Sequence, residues 1–171
     1  MSQMDWEFIN GFSGWASAVT TLLAVIVSLC VSYSTRKVRM AIKSAIYIFN
    51  EQGKDVEYLV FFIQNTGFRT FHLNHHSCIV LRIGFFRKKF IGIGNSRIDF
   101  SKSSTFPCRL SEGDQINLFI RLHNGDGYWI DQLKKDFFSG YSLSSLRIVV
   151  FPGIGKHVAK RFDREVIREF R

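Results

Sequence analysis

The chain has 171 residues, 46% hydrophobic and 22% charged, with two prolines and a formal net charge of +9. That length fits one modest domain plus an accessory segment, is too short for two enzyme domains, and the composition excludes a disordered or low-complexity chain. The charge is unevenly placed: residues 1–35 hold no Lys or Arg, so all 23 basic residues lie beyond them, as do all 14 acids except Asp5 and Glu7.

An uncharged head thus precedes a strongly basic body. The head is predicted to be a transmembrane helix over residues 14–34, behind an extracytoplasmic N-terminus at 1–13. No residue from Phe8 to Thr35 is charged, and a span needs roughly 20 mostly apolar residues. A cleaved signal peptide begins with positive residues; here acids come first and Arg36, Lys37, Arg39 and Lys43 follow, which predicts an uncleaved anchor. Those four residues form a basic juxtamembrane segment at 35–43. Because Lys and Arg beside a span favour the cytoplasmic side, the expected placement is a bacterial inner membrane with the N-terminus out and the body in the cytoplasm. Gly14, Ser17, Ala18, Thr21, Ala24 and Ser28 recur at helical spacing, a small-residue stripe suited to homo-oligomer contact in the bilayer. Ser and Thr are equally tolerated in a span by bonding back to their own helix.

From residue 44 to 171 the pattern turns to the alternation of strands, giving a mainly β fold class: a small β-sandwich-like domain with a C-terminal amphipathic helix. Ala45–Phe49, Val56–Ile63, Thr70–Leu73, Cys78–Ile83, Gln115–Leu122 and Leu146–Phe151 read as strands, and Arg87-Lys88-Lys89 as a hairpin tip. Tyr128–Phe138 reads as a helix, with Trp129, Leu133 and Phe137 at four-residue intervals. Lys160–Arg171 reads as a second helix, with Phe162, Val166, Ile167 and Phe170 on one face and Arg161, Arg164, Arg168 and Arg171 on another. It could lie on the inner leaflet, pack on the sheet or cap an oligomer.

Asn65-Thr66-Gly67-x-Arg69 ends one strand, Phe106-Pro107-x-Arg109-Leu110-Ser111-Glu112-Gly113-Asp114 precedes another, and Gly155-Lys156-His157 follows the last. In that order these turns resemble small bacterial single-span membrane proteins with a cytosolic immunoglobulin-like β-sandwich, over about residues 44–160. The Ser111-Glu112-Gly113 turn departs from the Pro-Gly order of that family. The resemblance brings no shared catalytic residues. A weaker similarity, of architecture and basic charge alone, is to the cyclic-oligoadenylate-gated membrane effectors of type III CRISPR systems.

Enzyme signatures are missing. Gly153-Ile154-Gly155-Lys156 lacks the spacing and hydroxyl of a phosphate loop, and Gly92-Ile93-Gly94 lacks the third glycine of a dinucleotide fingerprint, so both read as turns or bulges. His72, His75, His76 and Cys78 are dense in potential ligands but lack a Cys-x-x-Cys pair, and strand neighbours face opposite ways. No metal, cofactor or catalytic residue is therefore expected. The excess basic charge points to an anionic partner. The expected function is a non-enzymatic sensor–effector that binds an anionic signal, such as a cyclic oligonucleotide in antiviral defence, and acts on the lipid bilayer through oligomerised spans. Candidate ligand groups are Arg69, His75, His76, Arg87, Lys88, Lys89, Lys156 and His157. The rival expectation is a membrane-anchored adaptor or immunity protein that binds a protein partner.

Overall fold

A computed structural model describes residues 3–35, 37–84, 88–124, 127–136 and 141–169. The chain divides into two compact units, residues 1–37 and 38–171. The first is one helix, α1 (Gln3–Thr35). Its segment Gly11–Tyr33 has a mean hydropathy of 2.0 and none of it is buried, so it is long and apolar enough to cross a bilayer. Within α1, Thr20 Oγ1 donates to the Ala16 carbonyl at 2.8 Å and Thr21 Oγ1 to that of Ser17 at 2.9 Å. These two hydroxyls are satisfied without a neighbouring helix.

The second unit is mainly β. Its first strand, β1 (Met40–Glu51), begins inside what reads from sequence as the juxtamembrane segment: Lys43 is exposed between buried Ile42 and Ser44, the alternation of a half-buried strand. A two-residue turn at Gln52-Gly53, both at positive φ (53° and 80°), returns the chain as β2 (Lys54–Asn65). Such primed turns match the strand twist of a hairpin. There follow β3 (Phe71–Leu73), β4 (Ile79–Ile83), β5 (Lys89–Gly92), β6 (Cys108–Leu110), β7 (Gln115–Arg121), β8 (His123–Asn124) and β9 (Gly127–Tyr128). The chain continues with α2 (Trp129–Asp136), β10 (Arg147–Val150), β11 (Val158–Arg161) and α3 (Arg164–Glu169).

Two antiparallel sheets, β1-β2-β7 and β11-β10-β4-β5, make the sandwich-like body, with β3-β6 and β8-β9 as small pairs. One core joins them: Ile42, Leu59, Phe61 and Ile63 from the first sheet meet Leu81, Ile83, Ile148 and Val150 from the second. Trp129, Ile130 and Leu133 of α2 complete it, as does Val166 of α3.

Three expected elements differ. Lys160 and Arg161 are not helical but belong to β11, paired with Ile148 and Arg147. The helix starts only after Asp163, whose carboxylate accepts from Ser44 N at 2.8 Å and from Ser44 Oγ at 3.2 Å. That tie fixes α3 to the edge of β1, so of the three placements open to it, α3 packs on the sheet. Tyr128 is not the first helical residue but part of a short hairpin, with His123 opposite it, and the helix begins at Trp129. Lys89 lies within β5 rather than at a loop tip, while Arg87, Phe137, Phe170 and Arg171 lie outside the described residues.

Candidate anion-binding face

Strand alternation decides what the four-stranded sheet shows on its outer side. Leu81 and Ile83 of β4, Ile148 and Val150 of β10, and Ile91 of β5 all point into the core. Their neighbours Arg82, Arg147 and Phe90 therefore point away from it. Register then aligns them. Arg147 pairs with Arg161 on one side and with Arg82 on the other, and Arg82 pairs with Phe90. Three guanidinium side chains thus stand in one row across β11, β10 and β4, at strand spacings of about 5 Å.

Like charges directly opposite one another destabilise a sheet. Among the described residues no Asp or Glu forms an ion pair with any of the three. Among the described residues Arg82 Nε is also buried without a hydrogen-bond partner, a state that costs about 1–3 kcal/mol. An anion accepting from the row would offset the like-charge penalty, and guanidinium groups are well shaped to hold phosphate oxygens in pairs. Beside the row lies an aromatic group: Phe90 is 53% exposed and Phe151 39%, their ring centroids 6.4 Å apart, and the His157 ring is 5.3 Å from that of Phe151.

The residues singled out from sequence are divided by the fold. His157 borders this face through Phe151, exposed Lys156 precedes it, and exposed Lys88 sits two residues before Phe90. Lys89 pairs with core-facing Ile83, and its Nζ reaches the Tyr141 ring at 5.2 Å. His75 and His76 stack at 3.9 Å between centroids and line a separate cleft of about 370 Å³ with Phe100 and Phe106. His76 is buried there, its Nε2 hydrogen-bonded to Asn95 Oδ1. Arg69 lies in the turn after β2, where the Asn65 amide donates to its carbonyl at 3.0 Å. The structure does not gather these residues into one site. Among the described residues no group of three His, Cys, Asp or Glu converges as metal ligands would.

No family model, curated protein or solved structure matches the chain. The arginine row is not legible in the sequence for a local reason: Arg161 fits a helical pattern, and only the pairing of β4, β10 and β11 brings it beside Arg147 and Arg82. The visible signal was a lone Arg at an outward position in each of two otherwise apolar strands.

Two further charged features are built for structure. Arg97 is 7% exposed and donates from Nη2 to Gln132 Oε1 at 2.7 Å, tying the 95–97 turn to α2. Around fully buried Tyr58, Glu51, Asp99, Lys102 and Arg121 form a network of two acids and two bases. It holds the segment after residue 98 against β7, where Asp99 N donates to the Phe119 carbonyl at 3.0 Å and Ser103 Oγ accepts from Phe119 N at 2.9 Å.

The row carries its own stability test. Arg147→Gln removes the central charge of three and is expected to leave the protein unchanged or about 0.5–1 kcal/mol more stable at low salt. The gain should shrink at 1 M salt, where the Debye length is about 3 Å. Chemical denaturation of the full-length protein in both salts reads the difference. A salt-independent loss would mean that Arg147 is held for structure.

Proposed function

We propose that this protein is a membrane-anchored, non-enzymatic sensor–effector whose β domain takes a phosphate-bearing anion on the arginine row. The observation that carries the reading is the register of Arg82, Arg147 and Arg161, with no carboxylate paired to them among the described residues. A membrane seat is supported by Gly11–Tyr33. The basic residues that follow it favour a cytoplasmic body and an external N-terminus. Gly14, Ser17, Ala18, Thr21, Ala24 and Ser28 give the spans a close-contact surface, and since one span makes no pore, an effect on the bilayer requires several copies. A cyclic oligonucleotide is a signal of the required charge.

The test uses the full-length protein in phosphatidylcholine nanodiscs, titrated with tripolyphosphate. Binding is expected at near-physiological salt, and the double variant Arg82→Gln/Arg147→Gln should weaken it by tenfold or more, each lost charge-assisted hydrogen bond counting for about 1.5–3 kcal/mol. Dye-loaded vesicles carrying the protein should leak on ligand addition. Unchanged affinity in the double variant would overturn the site, and intact vesicles at saturation would overturn the effector role.

A second reading, an adaptor for a protein partner, is favoured by the outer edge of β1. Its stretch Ala45–Phe49 is free of charge, and beside the point where α3 is tied at Ser44 it leaves Tyr47 44% exposed and Ile48 64%.

A further inference from the structure

Resting on the anion-binding reading, we infer that the ligand is a nucleotide, with phosphates on the arginine row and its base on the adjacent rings. Phe90 stands in the arginine row, opposite Arg82. Phe151 lies two residues beyond Val149, and its amide donates to the Cys78 carbonyl at 2.8 Å. That places Phe151 two rows along the sheet from Phe90, yet the two ring centroids are only 6.4 Å apart. The side chains therefore lean toward each other over the intervening row, in which Val80 pairs with Gly92.

Val149, at the β10 end of that row, is fully buried, and Gly92 leaves the β5 end open. A Cβ added there would meet nothing within 4 Å. One row of a sheet lies about 7 Å from the next of the same face, so the space above Gly92 is one nucleotide's reach from the guanidinium groups. Exposed aromatic rings on a sheet offer a stacking platform to any base, and bases gain about 1–3 kcal/mol from such a ring. A bare phosphate or a lipid headgroup has nothing to place on the rings. The His157 imidazole, 35° from the plane of Phe151, extends the platform.

The experiment compares ATP with tripolyphosphate on the full-length protein in phosphatidylcholine nanodiscs. The two share a chain of three phosphates, and only ATP carries a base. ATP should bind about tenfold more tightly, as one stacked base implies, despite its lower charge. Phe90→Ala, and separately Gly92→Leu, which fills the open space, should bring ATP to the level of tripolyphosphate and leave tripolyphosphate unchanged. Arg82→Gln should weaken both. Equal affinities that ignore Phe90→Ala would overturn the nucleotide assignment while the arginine site stands. Failure of both ligands to respond to Arg82→Gln would overturn the site itself. If phosphatidylserine vesicles displace ATP, and Phe90→Ala weakens the vesicles and not ATP, the rings serve a membrane and the assignment falls.

Discussion

Replacing Asn65 by Asp should destabilise the β domain by about 4 kcal/mol, close to the whole stability of many small domains. Asn65 is fully buried, and its one amide makes three bonds. Nδ2 donates to the carbonyls of Arg69 and Leu110, both at 3.0 Å, and Oδ1 accepts from Gly67 N at 3.0 Å. Its backbone is held as well: Asn65 N donates to the Asp114 carbonyl, and Gly113 N to that of Asn65, each at 2.9 Å. Two turns distant in sequence, Asn65–Gly67 and Ser111–Asp114, are thereby knotted together. Aspartate keeps the acceptor for Gly67 but removes both donors, leaving two buried carbonyls facing a buried charge.

The change carries an acid signature. A carboxyl buried without a counter-charge has a raised pKa, and once protonated it can donate to one of the two carbonyls. Asn65→Asp should therefore recover part of its loss between pH 7 and 5, whereas Asn65→Ala should not. Thermal unfolding of the full-length protein at the two pH values checks this, with Thr66→Ala, at an exposed neighbour, as the control. Equal losses at both pH values for the Asp variant would show that the knot does not depend on the two donated bonds.

That knot explains why part of the fold was legible in sequence. Asn65-Thr66-Gly67 and Ser111-Glu112-Gly113-Asp114 stand out as turn chemistry: the first is closed by the Asn65 amide oxygen accepting from Gly67 N, the second by the Asp114 carboxylate accepting from Ser111 N with Gly113 at a φ of 84°. The apolar helix was legible because it needs no partner to declare itself. Val56–Ile63, apolar on both faces in its middle, and the alternating Gln115–Leu122 are legible because both patterns are local. What failed was local pattern that tertiary context overrode. Lys37, Arg39 and Lys43 suit a membrane junction, and their charge masks the alternation of Met40, Ile42 and Ser44. Phe162, Val166 and Ile167 fit one helical face, which drew Lys160 and Arg161 into a helix that Asp163 in fact begins. Ser44, which locks that start, is 119 residues away from it. The candidate site was hidden for the same reason. Charges at Lys88, Lys156 and His157 are visible as clusters, whereas Arg82, Arg147 and Arg161 become one only through register.

The Tyr58 network should give the domain a stability dome with both shoulders assigned to named groups. Tyr58 OH lies 2.7 Å from Glu51 Oε1 and 2.8 Å from Asp99 Oδ2, and accepts from Arg121 Nε at 3.0 Å. Having one proton, it serves one of the two carboxylates at a time. Burial, reinforced by its hydrogen bonds to Glu51 and Asp99, pushes the Tyr58 pKa up to about 12. For Asp99 burial acts upward, but hydrogen bonds from Ser101, Tyr58 and Arg121 outweigh it and hold the carboxyl well below the usual carboxylate range. The signs follow from proton binding. Below about pH 4 the unfolded chain takes up a proton at Asp99 that the folded one refuses, so stability falls as the solution is acidified. Between about pH 10 and 12 the folded chain keeps the Tyr58 proton that the unfolded one releases, so stability falls again as pH rises. Asp99→Asn should cost about 2 kcal/mol at pH 7, because Arg121 and the Ser101 amide lose a charged acceptor, and should flatten the acid shoulder most while narrowing the alkaline one, since Asp99 helps raise the Tyr58 pKa. Tyr58→Phe should remove the alkaline shoulder and, by taking away a hydrogen bond that helps hold the Asp99 carboxyl low, soften the acid one, at about 1–2 kcal/mol for the lost hydroxyl. Urea unfolding of the full-length protein and the two variants from pH 3 to 11 measures both arms. A variant that lowers stability equally at every pH would leave that shoulder to other groups and make its residue a matter of shape rather than charge.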